Sequence, residues 1–220
     1  MIARTLVLST FLGLLASAAL GQQADSTDIH TLFGSGHRLQ NGGWGGPTAA
    51  YTRVMDHDAL LVGLRGGWLI DHRLTIGLAG YGLTTDVPNP AYDAYLIEQG
   101  RTPRKVSQFR TGYGGLLIEP IIAHRSAVHI SLPILIGAGG CGYETYTPLR
   151  QDFDPMSWSD DAQAYFVIEP GVDLEVNVVR MVRIGLGASY RYTSDITLPG
   201  TPEDALRGFN ASFSVKIGKF

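Results

Sequence analysis

A strict two-residue alternation runs through residues 166–178, whose sequence is FVIEPGVDLEVNV. Starting from Phe166, every second residue is apolar or proline, and the positions between them hold Glu169, Asp173 and Glu175 together with a glycine, an asparagine and one valine. Successive side chains of a β-strand point to opposite faces, so this segment predicts a strand with one apolar and one polar face.

The same period recurs along the chain, and after Gly45 no segment shows the 3.6-residue period of an amphipathic helix. We therefore predict an all-β protein. Its eight predicted strands are Thr48–Met55, Leu60–Ile70, Leu74–Gly82, Phe109–Ile122, Val128–Tyr146, Phe166–Val178, Val182–Tyr192 and Phe209–Ile217.

The connections between these strands alternate in length. Short turns follow strands two, four and six, whereas residues 88–107, 147–163 and 197–208 form longer loops after strands three, five and seven. Only the first connection, residues 56–58, breaks the alternation, because it is short. The pattern is typical of an up-and-down antiparallel barrel, with a short-turn rim at one end and a long-loop rim at the other.

The polar faces of the strands carry glycines and a balanced set of four cations and four carboxylates. The interior of an eight-stranded barrel is just wide enough for side chains, so paired charges with small neighbours fit there, and the apolar face then meets lipid. We predict a transmembrane barrel with a charge network in its lumen, formed by Arg65, Glu119, Glu169, Asp173, Glu175, Arg183, Arg191 and Lys216.

The register of the last long hairpin supports this assignment. It sets Val176 against Ile184, Leu174 against Leu186, and Glu169 against Arg191, so that opposite charges meet on one face. At the ends of the strands, Trp68, Tyr190 and Tyr192 are predicted interfacial aromatics. The alternative is a soluble barrel with the faces inverted, because alternation alone fits both.

The first 21 residues predict a cleaved export signal. Arg4 precedes an apolar run, and Ala19-Leu20-Gly21 supplies the small residues that a signal peptidase requires, so we expect cleavage after Gly21. The domains are then residues 1–21, an N-terminal periplasmic segment 22–44 that could instead be a plug or an added strand, and a barrel domain 45–220. A net charge of −3 offers no basic surface for nucleic acid, and one cysteine excludes an internal disulfide.

Export, eight strands, alternating loop lengths and the terminal Phe220 together resemble the small eight-stranded outer-membrane β-barrels of the OmpA and OmpX type. The resemblance covers residues 45–220 and implies periplasmic termini and short turns, external long loops, contact with outer-membrane lipids, and recognition of the C-terminal strand by the barrel-assembly machinery. In the C-terminal signal of this family, the final aromatic residue lies on the same face as the apolar residues of the last strand. Phe220 has the opposite parity to Phe213 and Ile217, so a match to that signal requires a bulge at Gly218-Lys219.

Catalytic motifs are few. His129-Ile130-Ser131 with a later Glu144 is similar to the motif of outer-membrane lipid A deacylases, which implies His as base and Ser as nucleophile. Two points oppose it: Glu144 has the opposite parity to His129, and the pair lies near the short-turn rim. The glycines of residues 137–142 fit G-x-G-x-x-G, but no helix follows them.

Two further chemical interpretations are weaker than structural ones. The carboxylates Glu119 and Glu169 are better explained as lumen charges than as a glycosidase pair, which needs an open cleft. Asp56-His57-Asp58 is better explained as a polar turn than as a metal site. We predict no catalytic residue, no metal and no cofactor.

The long loops are expected to carry whatever specificity exists. One is basic and the other acidic, so they either pair as a lid or bind an unknown extracellular partner. The binding candidates are Tyr92, Tyr95, Arg101, Arg104, Lys105, Asp152, Asp154 and Trp158.

The sequence thus favours a non-enzymatic outer-membrane barrel with a closed polar lumen and a structural or surface-binding role. One alternative is a soluble periplasmic or secreted lipocalin-like barrel that binds an apolar ligand. The other is a lipid A deacylase-like enzyme.

Overall fold

The computed structural model describes residues 41–123, 126–145 and 158–220. The predicted signal peptide and residues 22–40 lie outside the described residues. None of the helices in the described residues is long and apolar enough to cross a membrane. The elements are β1 Asn41–Val54, β2 His57–Ile70, β3 Leu74–Leu83, α1 Pro90–Glu98, β4 Gln108–Ile122, β5 Val128–Ser131, β6 Ile134–Glu144, β7 Trp158–Val179, β8 Val182–Thr193 and β9 Gly208–Lys219.

The strands form one closed ring in which every neighbouring pair is antiparallel. Consecutive strands pair from β1 to β4 and from β7 to β9, and β1 closes the ring by pairing with β9. Both β5 and β6 lie between β4 and β7, so they are two parts of one wall strand. The wall therefore has eight strands, and the predicted up-and-down all-β barrel is confirmed.

The interruption between β5 and β6 falls at Leu132-Pro133. Proline has no amide hydrogen, so a regular ladder cannot continue through it. The amide of Leu132 donates to the Pro120 carbonyl at 2.9 Å, and the amide of Gly171 donates to the Pro133 carbonyl at 2.8 Å. The neighbouring strands are therefore joined to this wall strand across the break.

Several boundaries differ from those predicted. The first strand begins at Asn41, ahead of Thr48 and of the predicted barrel start at Gly45, because its glycines hide the alternation while allowing close packing. A Cβ on Gly46 would lie 1.8 Å from the carbonyl oxygen of Val215 on β9. In addition, β7 begins at Trp158, inside the predicted loop 147–163.

The hairpin of β7 and β8 has the predicted register over most of its length. Val176 opposes Ile184 and Leu174 opposes Leu186. A bulge between Asn177 and Val179 makes Val179, rather than Val178, the partner of Val182 near the turn.

The two faces of the wall differ sharply in composition. Outward positions carry large apolar side chains that no other part of the described chain covers, and inward positions carry buried polar, charged and aromatic ones. The most exposed outward side chains are Leu64, Leu78, Phe166, Leu186 and Phe209, at 62–78%.

Candidate functional site

All eight charged residues assigned to the lumen from the sequence have buried side chains inside the barrel. Each is at most 8% exposed. They come from five of the eight wall strands, so closure of the ring is what brings them together. They are Arg65, Glu119, Glu169, Asp173, Glu175, Arg183, Arg191 and Lys216.

Lys216 on β9 is the centre of the largest group. Its ammonium forms ion pairs with both Glu119 on β4 and Glu175 on β7. The same ammonium lies 4.1 Å from the centre of the Trp44 ring, a cation–π contact. One cation thus compensates two buried carboxylates from distant strands, which limits the cost of desolvating them.

Glu175 also accepts hydrogen bonds from β5. The Ser131 hydroxyl donates to Oε1 at 2.7 Å, and His129 Nε2 lies 3.1 Å from Oε2. Arg183 Nη1 lies farther away, 3.8 Å from Oε2. Glu175 is therefore the shared acceptor of Lys216, a histidine and a hydroxyl, with Arg183 as a second, more distant cation.

Arg65 and Asp173 form a second buried pair. Arg65 Nη2 lies 3.0 Å from Asp173 Oδ2. The pair requires a glycine at position 187, because a Cβ there would lie 1.9 Å from Asp173 Oδ1. Gly187 was assigned to the lumen face from its parity, and its function is to leave room for this carboxylate.

Glu169 and Arg191 are not an ion pair, although the register predicted that they oppose each other. Glu169 accepts hydrogen bonds from Tyr113 at 2.7 Å, Ser189 at 2.6 Å and Asn210 at 2.9 Å. Arg191 Nε instead donates to the Leu206 carbonyl at 2.6 Å. The predicted opposition holds in the strand register, but the two charges do not pair, because Glu169 accepts from neutral side chains on β4, β8 and β9.

The deacylase-like residues do not form a catalytic triad. His129 and Ser131 both contact Glu175, and each is at most 2% exposed. Glu144, at the long-loop rim, accepts a hydrogen bond from Arg110 at 3.0 Å. The three residues that this chemistry needs are thus separated, and the two that lie close together are sealed from substrate.

The other chemical motifs are structural. The glycine-rich residues 137–142 lie within β6, and the next element in the described part of the chain is the strand β7. The Tyr51 hydroxyl donates to Asp58 at 2.6 Å, so the first turn is held by side-chain contacts. Within the described ranges, no three His, Cys, Asp or Glu residues are grouped so that they could hold a metal ion.

A small hydrophobic core that sequence analysis did not predict lies at the long-loop rim. Asn89 caps the N-terminus of α1, with its side-chain oxygen accepting from the amides of Ala91 and Tyr92. The Tyr92 ring stacks on Tyr143 with 3.8 Å between centroids. The buried apolar side chains of this loop cap are Val87, Tyr92, Leu96, Phe109, Tyr143, Ile196, Leu198 and Leu206.

The loop cap joins two of the long loops. The Asn89 side-chain amide donates to the Gly200 carbonyl at 2.8 Å, and Tyr92 donates to Asp161 at 2.7 Å. Gly200 has φ +63°, and a Cβ there would lie 2.7 Å from the Tyr92 amide nitrogen. The cap is therefore a packed unit whose parts hold one another.

The loop residues selected as binding candidates fall into different environments. Tyr92 is completely buried, so its assignment to surface binding was wrong, since its ring is part of the cap. Tyr95 is half-buried and packs against the same core. Arg101, Arg104 and Lys105 are exposed. Asp152, Asp154 and the side chain of Trp158 lie outside the described part of the chain.

The predicted interfacial aromatics lie on the outer face. Trp68 and Tyr192 are each 56% exposed, and Tyr190 is half-buried with its ring 4.4 Å from that of Tyr192. Sequence analysis did not single out Phe166 and Phe209, at 76% and 78% exposure, although their parity and position near the long-loop rim could have identified them.

Phe220 follows the alternation of β9 without a bulge. The pairing of β1 with β9 keeps one register up to Lys219. Phe220 therefore remains in phase with the inward residues, and its ring lies 3.8 Å from the Arg183 guanidinium carbon. The bulge that a match to the family's terminal signal required is absent from this strand pairing.

Solved structures of outer-membrane proteins resemble this barrel. The match to Neisserial surface protein A covers 84% of this chain and 100% of that protein's chain, with a TM-score of 0.57 and 12% sequence identity. The match to the N-terminal β-barrel domain of Pseudomonas aeruginosa OprF covers 82% of this chain and 99% of that domain, with a TM-score of 0.46 and 10% sequence identity. The match to the attachment invasion locus protein Ail of Yersinia pestis covers 81% of this chain and 97% of that protein's chain, with a TM-score of 0.42 and 7% sequence identity.

The chain thus has the fold of the small outer-membrane β-barrels, as the sequence resemblance predicted. This conclusion rests on the closed eight-stranded ring and on the likeness to Neisserial surface protein A. In sequence, no family model and no curated protein matches the chain.

Proposed function

We propose that this chain is a non-enzymatic integral protein of the Gram-negative outer membrane, with a closed polar lumen and external loops that bind a surface partner. One observation carries the proposal: large apolar side chains are exposed around the wall while eight charged ones are buried inside it. In water, charged side chains are favoured on the outside and apolar ones on the inside. When hydrocarbon surrounds a closed barrel, apolar side chains are favoured on the outside.

The charge network leaves little room in the middle of the lumen, which argues against a diffusion channel. The cavity beside Arg65, Tyr81, Glu169 and Asp173 has a volume of about 20 Å³. That is enough for about one water molecule. Side chains from opposite walls also meet at Lys216, so the charge network supports a closed lumen with a stabilising role.

The loop cap supports a surface-binding role. Its hydrophobic core packs the segment around α1 against residues 196–206, and Arg101, Arg104 and Lys105 are exposed on the segment after α1. Cations beside a packed core suit an anionic partner, because the loop backbone near them does not have to be ordered when the partner binds. With the family's orientation, these residues face the exterior of the cell.

Two further parts of the proposal concern export and assembly. We place the signal peptide at residues 1–21, removed after Gly21, with residues 22–40 on the periplasmic side. The barrel-assembly machinery is proposed to bind the C-terminal strand β9. The inward Phe220 departs from the usual phase of that signal, so recognition would depend on Phe213 and Ile217, which face outward.

The soluble lipocalin-like alternative needs an apolar, roomy interior. The buried ion pairs and the small internal cavity argue against it. The deacylase-like alternative needs Glu144 beside His129 and access to Ser131, and the contacts of these residues argue against that as well.

Fractionation of cells that express the full chain tests the proposal. We expect the protein in the outer-membrane fraction, extracted only by detergent, and we expect its gel migration to change after boiling as the barrel unfolds. A protein that is released with the soluble periplasm and migrates identically before and after boiling would contradict the membrane assignment.

A further inference from the structure

A cavity of about 740 Å³ opens at the short-turn rim. Four basic residues contribute to its lining, namely His72, Arg180, Arg183 and Lys219, together with Asn177 and the terminal Phe220. None of the described residues that line the cavity is an aspartate or a glutamate. The cavity is therefore positively charged, apart from the chain's own terminal carboxylate.

Arg183 is the buried member of this set, with its side chain 5% exposed. Its Nε has no hydrogen-bond partner among the described residues. Its Nη1 lies 3.4 Å from His129 Nε2, but that nitrogen also lies 3.1 Å from Glu175 Oε2. A ring nitrogen that donates to a carboxylate cannot also accept a hydrogen bond, so His129 cannot satisfy Arg183.

Glu175 does not satisfy Arg183 either. The distance of 3.8 Å between Arg183 Nη1 and Glu175 Oε2 is too long for a hydrogen bond. The carboxylate already accepts from Lys216, Ser131 and His129. Among the described residues, Arg183 is thus a buried guanidinium with an unpartnered Nε and only long contacts from Nη1, and buried polar groups are rarely left in this state.

The surroundings of Arg183 suit an added anion. The Phe220 ring covers one face of the guanidinium at 3.8 Å, which restrains its plane. Arg180 and Lys219 are exposed at the edge of the same cavity, so they add positive charge without filling it. A fixed guanidinium plane flanked by further cations is the arrangement that binds phosphate with two parallel hydrogen bonds.

We propose that this cavity binds a phosphate group, with Arg183 as the buried donor and Arg180 and Lys219 as flanking charges. The phosphate could be free or belong to a phospholipid headgroup at the membrane surface, and the same chemistry serves both. The site lies at the rim opposite the loop cap, so it is independent of the proposed surface binding.

Titration of the full mature protein in uncharged maltoside micelles tests the proposal. Inorganic phosphate is added in one arm and phosphatidylglycerol in the other, and binding is followed by calorimetry and by phosphorus NMR. Saturation by inorganic phosphate assigns the site to free phosphate, and saturation by phosphatidylglycerol alone assigns it to a headgroup. Either result supports the proposal, and no saturable binding in both arms overturns it.

Variants separate the site from general attraction to a basic rim. Arg180→Gln combined with Lys219→Gln leaves the buried network intact and should weaken binding about tenfold, the effect of losing one charge-assisted contact. Arg73→Gln removes an exposed cation from the same rim outside the cavity lining and should leave binding unchanged. Equal weakening by both variants overturns the proposal.

Arg183→Gln should abolish binding. Because Arg183 is buried, the folding of this variant protein is checked by heat-dependent gel migration. If the Arg183→Gln protein does not fold, the combined Arg180→Gln and Lys219→Gln variant still tests the proposal. A folded Arg183→Gln protein that binds as well as the original chain also overturns the proposal.

Discussion

Arg65 and Asp173 are 108 positions apart in the sequence, yet their side chains lie 3.0 Å apart inside the barrel. The pair is almost wholly buried, with 5% and 3% of the two side chains exposed. Removal of one partner leaves an uncompensated charge where water cannot replace the lost contact. The pair therefore gives a direct measure of what the charge network contributes to stability.

We expect Arg65→Gln to lower the free energy of unfolding by about 3–5 kcal/mol, the usual cost of breaking a buried ion pair. Arg65→Gln combined with Asp173→Asn should recover much of that loss, because no net charge remains unpaired. Urea titration of the barrel in lipid vesicles measures both values. Equal destabilisation by the single and double variants would show that charge compensation is not the cause.

A methyl group on Gly187 should destabilise the barrel by about 1–3 kcal/mol through overpacking. The Cβ of alanine would lie 1.9 Å from Asp173 Oδ1, so the carboxylate would have to move away from Arg65. Gly82→Ala is the matched control, because no atom of the described residues lies within 4 Å of a Cβ there. Unfolding free energies in the same vesicles should separate the two variants, and similar values would contradict the packing argument.

The membrane orientation predicts different effects for two equally exposed residues. Leu186 on β8 is 62% exposed and Ile97 on α1 is 59% exposed. Leu186→Arg should cost about 2–4 kcal/mol if the side chain lies near the bilayer midplane. Ile97→Arg should change stability by no more than about 0.5 kcal/mol in water. A harmless Leu186→Arg would mean that this face does not contact lipid.

The loop cap predicts local protection from protease. Tyr92→Ala removes the stack on Tyr143 and the hydrogen bond to Asp161. We expect trypsin to cleave after Arg101 or Arg104 about tenfold faster, since a loss of about 1.4 kcal/mol raises the open population by that factor. Limited proteolysis of folded protein measures the rate, with Ile97→Ala as the exposed control. An unchanged rate would contradict a cooperative cap.

The proposed lack of enzymatic activity is tested on lipopolysaccharide. We expect no release of acyl chains from lipopolysaccharide by the folded protein, because Ser131 is buried and donates to Glu175. Mass spectrometry of the lipid product detects any release. Acyl release that Ser131→Ala abolishes would show that the non-enzymatic assignment is wrong.

The sequence predicted which residues face inward but not which of them pair. Inward assignment needs only the two-residue period, so it placed Lys216, Glu119 and Glu175 on one face. Pairing depends on the register between strands around the whole ring, which is not readable from one strand. The register does set Glu169 opposite Arg191, as predicted. The two charges nevertheless do not pair, since Glu169 accepts from Tyr113 and Asn210, which come from other strands.

The loop cap was missed although part of its signal was present. Asn89 followed by Pro90 is a typical start of a helix, because asparagine caps the first turn and proline suits its first position. The loop was treated as irregular since α1 is short and shows no strong apolar face. Its contacts with Tyr143 and Gly200 connect distant segments, so only the folded chain reveals that Tyr92 is buried.

The place of Lys216 on β9 ties charge compensation inside the barrel to the strand that completes the ring. Glu119 on β4 and Glu175 on β7 share this one counter-ion, and its strand of twelve residues also pairs with β1. A sheet without β9 would hold both carboxylates without that ammonium. Completion of the cylinder and neutralisation of its interior are therefore expected to depend on the same strand.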